Sequence, residues 1–164
     1  MKIKIKYHNK KCKIEKFGDW IDLKSSDKVV LKGPFVDKEK RVIFDSSLVS
    51  LGISMQLPKY YEANVVPRSS TFNNYSVIQG NHFCVIDNAY SGNNDIWKMK
   101  VIAFKDTIIE KGDRICQFRI NLSQNAPWYI KLKWLFFNKI EFEEVDKLEN
   151  ADRGGFGSTN LKNN

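Results

Sequence analysis

Short apolar segments separated by turn residues constrain the fold of this chain more than any other feature. Glycine, proline, asparagine and aspartate interrupt the sequence, for example at Gly33-Pro34, Pro58 and Gly92-Asn93. Many short strands with turns between them are typical of an all-β sandwich or barrel. We expect strands at residues 2–7, 12–16, 20–23, 28–31, 41–44, 50–57, 63–66, 82–86, 96–104, 114–120 and 140–145.

A short helix is expected after Pro67. The side chain of Ser69 or Ser70 can cap its first turn, and Phe72 and Tyr75 are placed to face inward.

Residues 123–138 look like an insertion and predict a second helix near residues 125–137. Asn125 can cap it, and Pro127 can lie in its first turn. One apolar stripe is Ile130, Trp134 and Phe137, a second is Trp128, Leu132 and Leu135, and a narrow polar strip holds Lys131, Lys133 and Asn138. Such a helix has to bury most of its circumference, so we expect it to pack against the β core or another subunit. The alternative is an exposed patch that binds a protein partner.

Composition indicates one packed domain over residues 1–164, because 42% of the residues are hydrophobic. Three cysteines without paired spacing indicate a reduced, cytoplasmic protein, and two histidines cannot build a metal centre by themselves. The charged N-terminus is unlike a signal peptide. No apolar run approaches the ~20 residues that a membrane span needs.

The formal net charge is +8, and seven lysines lie within the first 16 residues. Three of them alternate with Ile3, Ile5 and Tyr7, so we interpret them as the solvent-facing side of a strand in preference to a nucleic-acid site. A basic balance also suits a small polyanionic ligand.

Residues 81–97 predict a β-hairpin with a wide loop. An apolar run ends at Asp87, and Tyr90 follows three residues later, before turn residues and a second apolar run. A carboxylate at the mouth of a hairpin can hold a water, and nearby backbone groups can read a planar base. The alternative is an ordinary surface turn.

Residues 67–70 read Pro-Arg-Ser-Ser, in which an arginine, two hydroxyls and the amides of a helix start can bind phosphate. The alternative is a helix cap with a surface arginine. Asp113 and Arg114 are interpreted as structural, a turn carboxylate and an ion-pair partner. Gln117 interrupts an apolar strand, and a buried amide there needs partners that a ligand can supply.

The C-terminal residues 151–164 predict a flexible arm, with three glycines around Phe156. Its backbone amides and hydroxyls can wrap phosphates while the phenyl ring covers a flat group.

Five segments in this order resemble the trimeric dUTP pyrophosphatase (dUTPase) family, most closely the short enzymes of Gram-positive bacteria and their phages. They are residues 19–23, 67–70, 81–90, 112–117 and 153–159. The resemblance implies a jelly-roll-like β fold and a homotrimer with shared active sites. It also implies hydrolysis of dUTP to dUMP and diphosphate with Mg²⁺.

The resemblance also implies roles for single residues. Asp87 resembles the general base that activates water, and Tyr90 the ring packed under the deoxyribose. Asn81, Val85 and Ile86 resemble the hairpin that reads uracil. Phosphate contacts from a neighbouring chain are implied for Arg68, Ser69, Ser70 and Gln117, and Asp22 resembles the carboxylate that steadies the metal through its waters. The arm that closes from another subunit is implied to use Arg153, Phe156, Gly157, Ser158 and Thr159.

The arm departs from the family pattern, which usually has two residues between its arginine and the Gly-Phe pair, because here Arg153 is followed at once by Gly154-Gly155-Phe156. One alternative function is that of a dCTP deaminase relative, which would need a glutamate at the base ring. Another is a phage regulatory protein that uses the same fold to bind a partner through residues 123–138.

Overall fold

A computed structural model describes residues 1–15 and 18–155 of the chain. These residues form fourteen short strands and two short α-helices, which agrees with the expected all-β class. The strands are β1 (Lys2–Tyr7), β2 (Ile21–Lys24), β3 (Val29–Leu31), β4 (Phe35–Val36), β5 (Val42–Ile43), β6 (Ser46–Ser50), β7 (Ile53–Gln56), β8 (Tyr61–Pro67), β9 (Val77–Gln79), β10 (Cys84–Asp87), β11 (Lys98–Ala103), β12 (Thr107–Ile109), β13 (Arg114–Leu122) and β14 (Glu141–Glu144). The helices are α1 (Thr71–Tyr75) and α2 (Trp128–Phe136). No helix among the described residues is long and apolar enough to cross a membrane.

The sheet that carries the candidate site has the strand order β10-β8-β13-β2. Two three-stranded sheets, β14-β1-β7 and β6-β11-β9, and the small pairs β12-β3 and β4-β5 complete the described fold. Alternate residues of each strand turn inward, so that Ile3 and Ile5 are buried while Lys2 is exposed. Trp97 and Phe118 meet edge to face inside the core, with ring centroids 5.3 Å apart.

Several strand predictions need correction. Residues 12–15 form no strand, because Asn9 caps a turn of 3₁₀ helix over Lys10–Cys12 by accepting a hydrogen bond from the Lys11 amide. The expected strand 50–57 is divided at Gly52, which has a φ of 64° and leads from β6 into β7. β4, β9 and β12 were not predicted, because two or three residues are too few to show an alternating pattern.

α1 lies where it was expected, but its cap differs. Ser70 is the N-cap residue and makes no side-chain cap hydrogen bond. The Thr71 hydroxyl instead accepts a hydrogen bond from the Arg68 amide at 3.0 Å and donates one to the Ile115 carbonyl at 2.8 Å. Thr71 is therefore the buried residue of this single turn, and Phe72, expected inside, is half exposed.

α2 begins at Trp128 with Pro127 as its N-cap, so the expected cap at Asn125 is wrong. All residues of α2 are described, and none of them is buried. Ile130 and Trp134 pack partly against the core, whereas the rest of the apolar surface is exposed. Burial of most of the helix, expected from its composition, is not achieved within one chain.

Candidate active site

The first cluster of functional side chains lies where β10 ends. Asp87 is the last residue of β10, and one of its oxygens accepts hydrogen bonds from the amides of Ala89 at 2.8 Å and Tyr90 at 3.2 Å. The other oxygen lies 2.5 Å from Nη1 of Arg153. Burial raises the pKa of Asp87, but the ion pair with Arg153 and the two amides outweigh it, so the pKa lies below its usual value. The carboxylate is therefore ionised at neutral pH.

Tyr90 forms a wall of the same cluster. Its ring is buried, and its hydroxyl donates a hydrogen bond to the Ile96 carbonyl at 2.9 Å. Burial, followed by the charges of Asp95 and Asp152, raises the pKa of Tyr90 to about 12. Tyr90 therefore stays neutral and offers a flat, fixed ring.

These residues surround a cavity of about 280 Å³, just below the ~300–1,000 Å³ typical of small-molecule sites. Its lining consists of Asn81, Cys84, Val85, Ile86, Asp87, Tyr90, Arg153, Gly154 and Gly155. β10 is an edge strand of its sheet, so alternate backbone groups point away from β8 and can pair with a ligand. The cavity brings together Asn81, Val85, Ile86, Asp87 and Tyr90 as expected. The hairpin predicted over residues 81–97 is wrong, because β10 pairs with β8 whereas β11 pairs with β6 and β9 in another sheet.

A buried carboxylate, which the sequence analysis missed, fastens the start of the arm to this cluster. Asp95 is 1% exposed and accepts hydrogen bonds from the amides of Gly92 at 2.8 Å, Arg153 at 2.9 Å and Gly154 at 2.9 Å. Asp152 accepts two more from Asn94, at 2.7 and 2.6 Å. These bonds position Arg153 over Asp87.

The second cluster lies on β2, β13 and the segment before α1. Asp22 is bound by two arginines, with Arg68 Nε at 2.9 Å from one oxygen and Arg114 Nη1 at 3.4 Å from the other. Gln117 is paired with Asp22 across the β2–β13 ladder. Ser69 and Ser70 follow Arg68 directly, so the expected phosphate-binding residues and Asp22 are neighbours. The ion-pair role expected for Arg114 is confirmed.

The Gln117 side chain is half-buried, whereas the sequence predicted that the core encloses it. The register of β13 shifts between Arg114 and Cys116, so that Ile115 and Cys116 are both buried and Gln117 turns outward. An outward amide beside Asp22 is accessible to a ligand.

Sequence comparison identifies the family of this chain. A family model described as dUTPase matches residues 36–128. The SPbeta prophage-derived deoxyuridine 5'-triphosphate nucleotidohydrolase YosS of Bacillus subtilis is 45% identical, over 99% of this chain and 100% of that protein. The chain belongs to the dUTPase family.

Solved dUTPases share the fold of this dUTPase-family chain. The dUTPase from Streptococcus mutans matches with a TM-score of 0.61 at 16% identity, over 74% of this chain and 93% of its own. The dUTPase of Staphylococcus bacteriophage 80alpha also gives 0.61, at 15% identity, over 90% of this chain and 98% of its own. The expected jelly-roll-like β fold is confirmed, and family membership places the chain among the hydrolases.

The two clusters of this dUTPase-family chain lie at opposite ends of β8. Asp87 is paired with Glu62, near the start of β8, whereas Cys116, next to Gln117, is paired with Pro67 at its end. Five residue steps along the strand lead from Glu62 to Pro67, which corresponds to roughly 17 Å. Asp87 and Gln117 of one chain therefore lie toward opposite ends of the same sheet.

The described part of the arm, residues 151–155, contacts its own chain, whereas the resemblance implies closure on another subunit. Four expected arm residues, Phe156, Gly157, Ser158 and Thr159, lie outside the described residues. Sequence analysis also missed Cys84 as a residue of the cavity. Its inward position on β10, alternating with Val85, was the available signal.

Proposed function

We propose that this protein is a dUTP diphosphatase that hydrolyses dUTP to dUMP and diphosphate with Mg²⁺. The observation that carries the proposal is the ionised Asp87, held by two amides at the mouth of a cavity between an edge strand and the Tyr90 ring. The relative that is 45% identical is named as a deoxyuridine 5'-triphosphate nucleotidohydrolase.

Asp87 acts as the general base. It accepts a proton from a water whose oxygen bonds to the α-phosphorus. The bond from that phosphorus to the oxygen bridging the β-phosphate breaks, and diphosphate leaves. Asp87 is suited to this step because its lowered pKa keeps it ionised, and its contact with Arg153 has to open before the water can bind.

Edge strand β10 and the loop after it select the base and the sugar. Only alternate residues of β10 point their backbone groups outward, so one of Val85 and Ile86, together with Asn81, can pair with uracil and reject cytosine, whose amino group is a donor where uracil has an acceptor. The neutral ring of Tyr90 packs under the deoxyribose and fills the space of a 2′-hydroxyl. No glutamate lines the described cavity, which favours this reaction over dCTP deamination.

The phosphates are bound by the second cluster of a neighbouring copy, in a homotrimer with shared active sites. The positions of the two clusters toward opposite ends of β8, whose partners Glu62 and Pro67 are roughly 17 Å apart along the strand, support sharing. Arg68, Ser69, Ser70 and Gln117 supply charge and hydrogen bonds to the phosphate oxygens.

Mg²⁺ fits the residues of the second cluster. No group of three or more metal-binding side chains occurs among residues 1–15 and 18–155, and Mg²⁺ usually keeps several waters and binds substrate phosphates. Asp22 can accept hydrogen bonds from waters bound to the metal. When bound, Mg²⁺ neutralises phosphate charge and aligns the chain of phosphates.

The arm completes the site. We assign Arg153, Ser158 and Thr159, with the Gly157 amide, to the phosphates, and Phe156 to the exposed face of the base. We also propose a cytoplasmic location, because all three cysteines are unpaired and buried, as in a reducing compartment.

Diphosphate release from dUTP and each of the four common deoxynucleotides, with and without Mg²⁺, tests the proposal. We expect release from dUTP alone and only with the metal. Equal turnover of dCTP, or ammonia release from it, would contradict the assignment.

A further inference from the structure

The outward face of α2 is the most exposed apolar surface of the described helices. It consists of Trp128, Tyr129, Leu132, Leu135, Phe136 and Phe137, with Trp128 75% and Phe137 71% exposed. The opposite side of α2 is held on the core by Trp134, whose ring centroid lies 5.5 Å from that of Tyr61. Contiguous apolar patches of this kind mark interaction surfaces, and aromatic residues are enriched in protein interfaces.

α2 lies near the surface at which the shared site of the proposed function joins two copies. Tyr61 is the first residue of β8, and its neighbour Glu62 is paired with Asp87. α2 therefore lies at the end of β8 that carries the first cluster, where the proposed shared site receives the phosphate-binding residues of a second copy. The exposed face continues that contact surface.

Charge also favours a second copy as the partner. Residues 114–140 include arginines and lysines but no acidic residue, whereas residues 141–149 include Glu141, Glu143, Glu144, Asp146 and Glu149. Glu141, Glu144 and Glu149 pair with lysines of their own chain, so Glu143 and Asp146 are the acidic residues of this segment, within the described part of the chain, that can complement the basic helix of a second copy.

The length of α2 is consistent with a contact that forms one part of a larger interface. Nine residues of α-helix extend about 14 Å, too little for the ~800 Å² per partner of a standard interface. α2 therefore cannot be the whole interface, and it enlarges one that the two clusters already require.

We propose that the outward face of α2 packs against a second copy of this chain, in the same assembly that completes the active site. The inference rests on the shared site of the proposed function. It assigns the inserted segment to assembly and leaves catalysis to the two clusters.

The test is the variant Trp128→Ser/Leu132→Ser/Leu135→Ser, compared with Val36→Ser/Val42→Ser, which removes similarly exposed apolar side chains from β4 and β5. Sedimentation over a concentration series should show the midpoint of dissociation raised at least tenfold for the α2 variant and unchanged for the control. An unchanged midpoint for the α2 variant, or a wild-type protein that is monomeric throughout, would overturn the proposal.

Fluorescence of the assembled wild-type protein gives a second readout that needs no mutant to assemble. The Trp128 contribution, obtained by difference from Trp128→Phe, should resist quenching by iodide. Free quenching, or a blue shift on vesicles of phosphatidylglycerol, would show that the patch is open for another partner and would overturn the proposal.

Failure of the α2 proposal and failure of the proposed activity give different results. At concentrations where the α2 variant is assembled, it should hydrolyse dUTP within threefold of wild type. A wild-type protein that assembles through α2 but does not hydrolyse dUTP would refute the activity alone. Full activity with an unchanged midpoint would refute only the role of α2.

Discussion

Two carboxylates of the first cluster, Asp95 and Asp87, differ in the groups that surround them. Asp95 accepts three backbone hydrogen bonds and is 1% exposed, so it has no room for water or substrate. Asp87 is half exposed. Backbone amides donate hydrogen bonds to one of its oxygens, and the other oxygen contacts the side chain of Arg153. Only Asp87 can exchange its partner for a water.

Asp87→Asn should reduce turnover of dUTP by at least ~10²-fold, the low end for general-base catalysis. The amide keeps the shape and cannot accept the proton, so dUTP should still bind. Diphosphate release and calorimetric binding measure the two effects, and Glu39→Gln, on an exposed turn, is the control. Near-normal turnover in Asp87→Asn would exclude Asp87 as the base.

Removing Arg153 should shift the pH dependence of activity. Arg153 favours the ionised form of Asp87, so Arg153→Ala should raise the pKa of Asp87. Activity needs the ionised base, and the acid limb of kcat/KM should therefore move to higher pH. Arg153→Lys, which keeps the charge, should move it less. An acid limb at the same pH in all three proteins would mean that the ion pair is absent from the free enzyme.

Tyr90→Ala should reduce discrimination between dUTP and UTP. The ring is buried and fixed by its hydrogen bond to Ile96, so its loss opens space for a 2′-hydroxyl. The ratio of kcat/KM values for the two nucleotides measures the effect. An unchanged ratio would place sugar selection elsewhere.

Strands and loops differ in how well sequence predicts them. β1, β10 and β13 were found because alternation and flanking turn residues are local signals. The three-residue strands β9 and β12 carry no such signal. The role of Asp95 was missed because its partners Arg153 and Gly154 are 58 and 59 residues away in sequence. The clusters of the candidate site were predicted residue by residue through family resemblance, but their separation along β8 appears only in the fold.

A chain truncated after Asn150 should fold and assemble but lose most activity, because residues 151–155 contribute hydrogen bonds to the arm and little to the core. Mixing it with inactive Asp87→Asn chains should restore part of the activity if the arm acts on a neighbour. The hydrogen bonds from Arg153 and Gly154 to Asp95 can also form between copies, since each copy has an identical loop around Asp95. The measurement is diphosphate release by mixed trimers whose composition has been verified by their mass. Absence of rescue would show that the arm serves its own chain.

In the proposed homotrimer, inactive chains should complement each other, because the two clusters of one site come from different copies. Asp87→Asn leaves the second cluster intact, and Arg68→Ala leaves the first intact. Each variant alone should be nearly inactive, whereas mixed assemblies contain some sites with both intact clusters. Co-refolded mixtures should regain a measurable fraction of wild-type diphosphate release. Mixed assemblies without activity would show that Asp87 and Arg68 act from the same chain.

In the proposed homotrimer, the division of each site between copies also makes activity depend on abundance. A solitary chain would hold the first cluster of one site and the second cluster of another, and no complete site. Under dilution, where the trimer is mostly dissociated, the concentration of complete sites would rise with the third power of chain concentration. The level of expression alone would then decide how much dUTP is hydrolysed, with no separate effector.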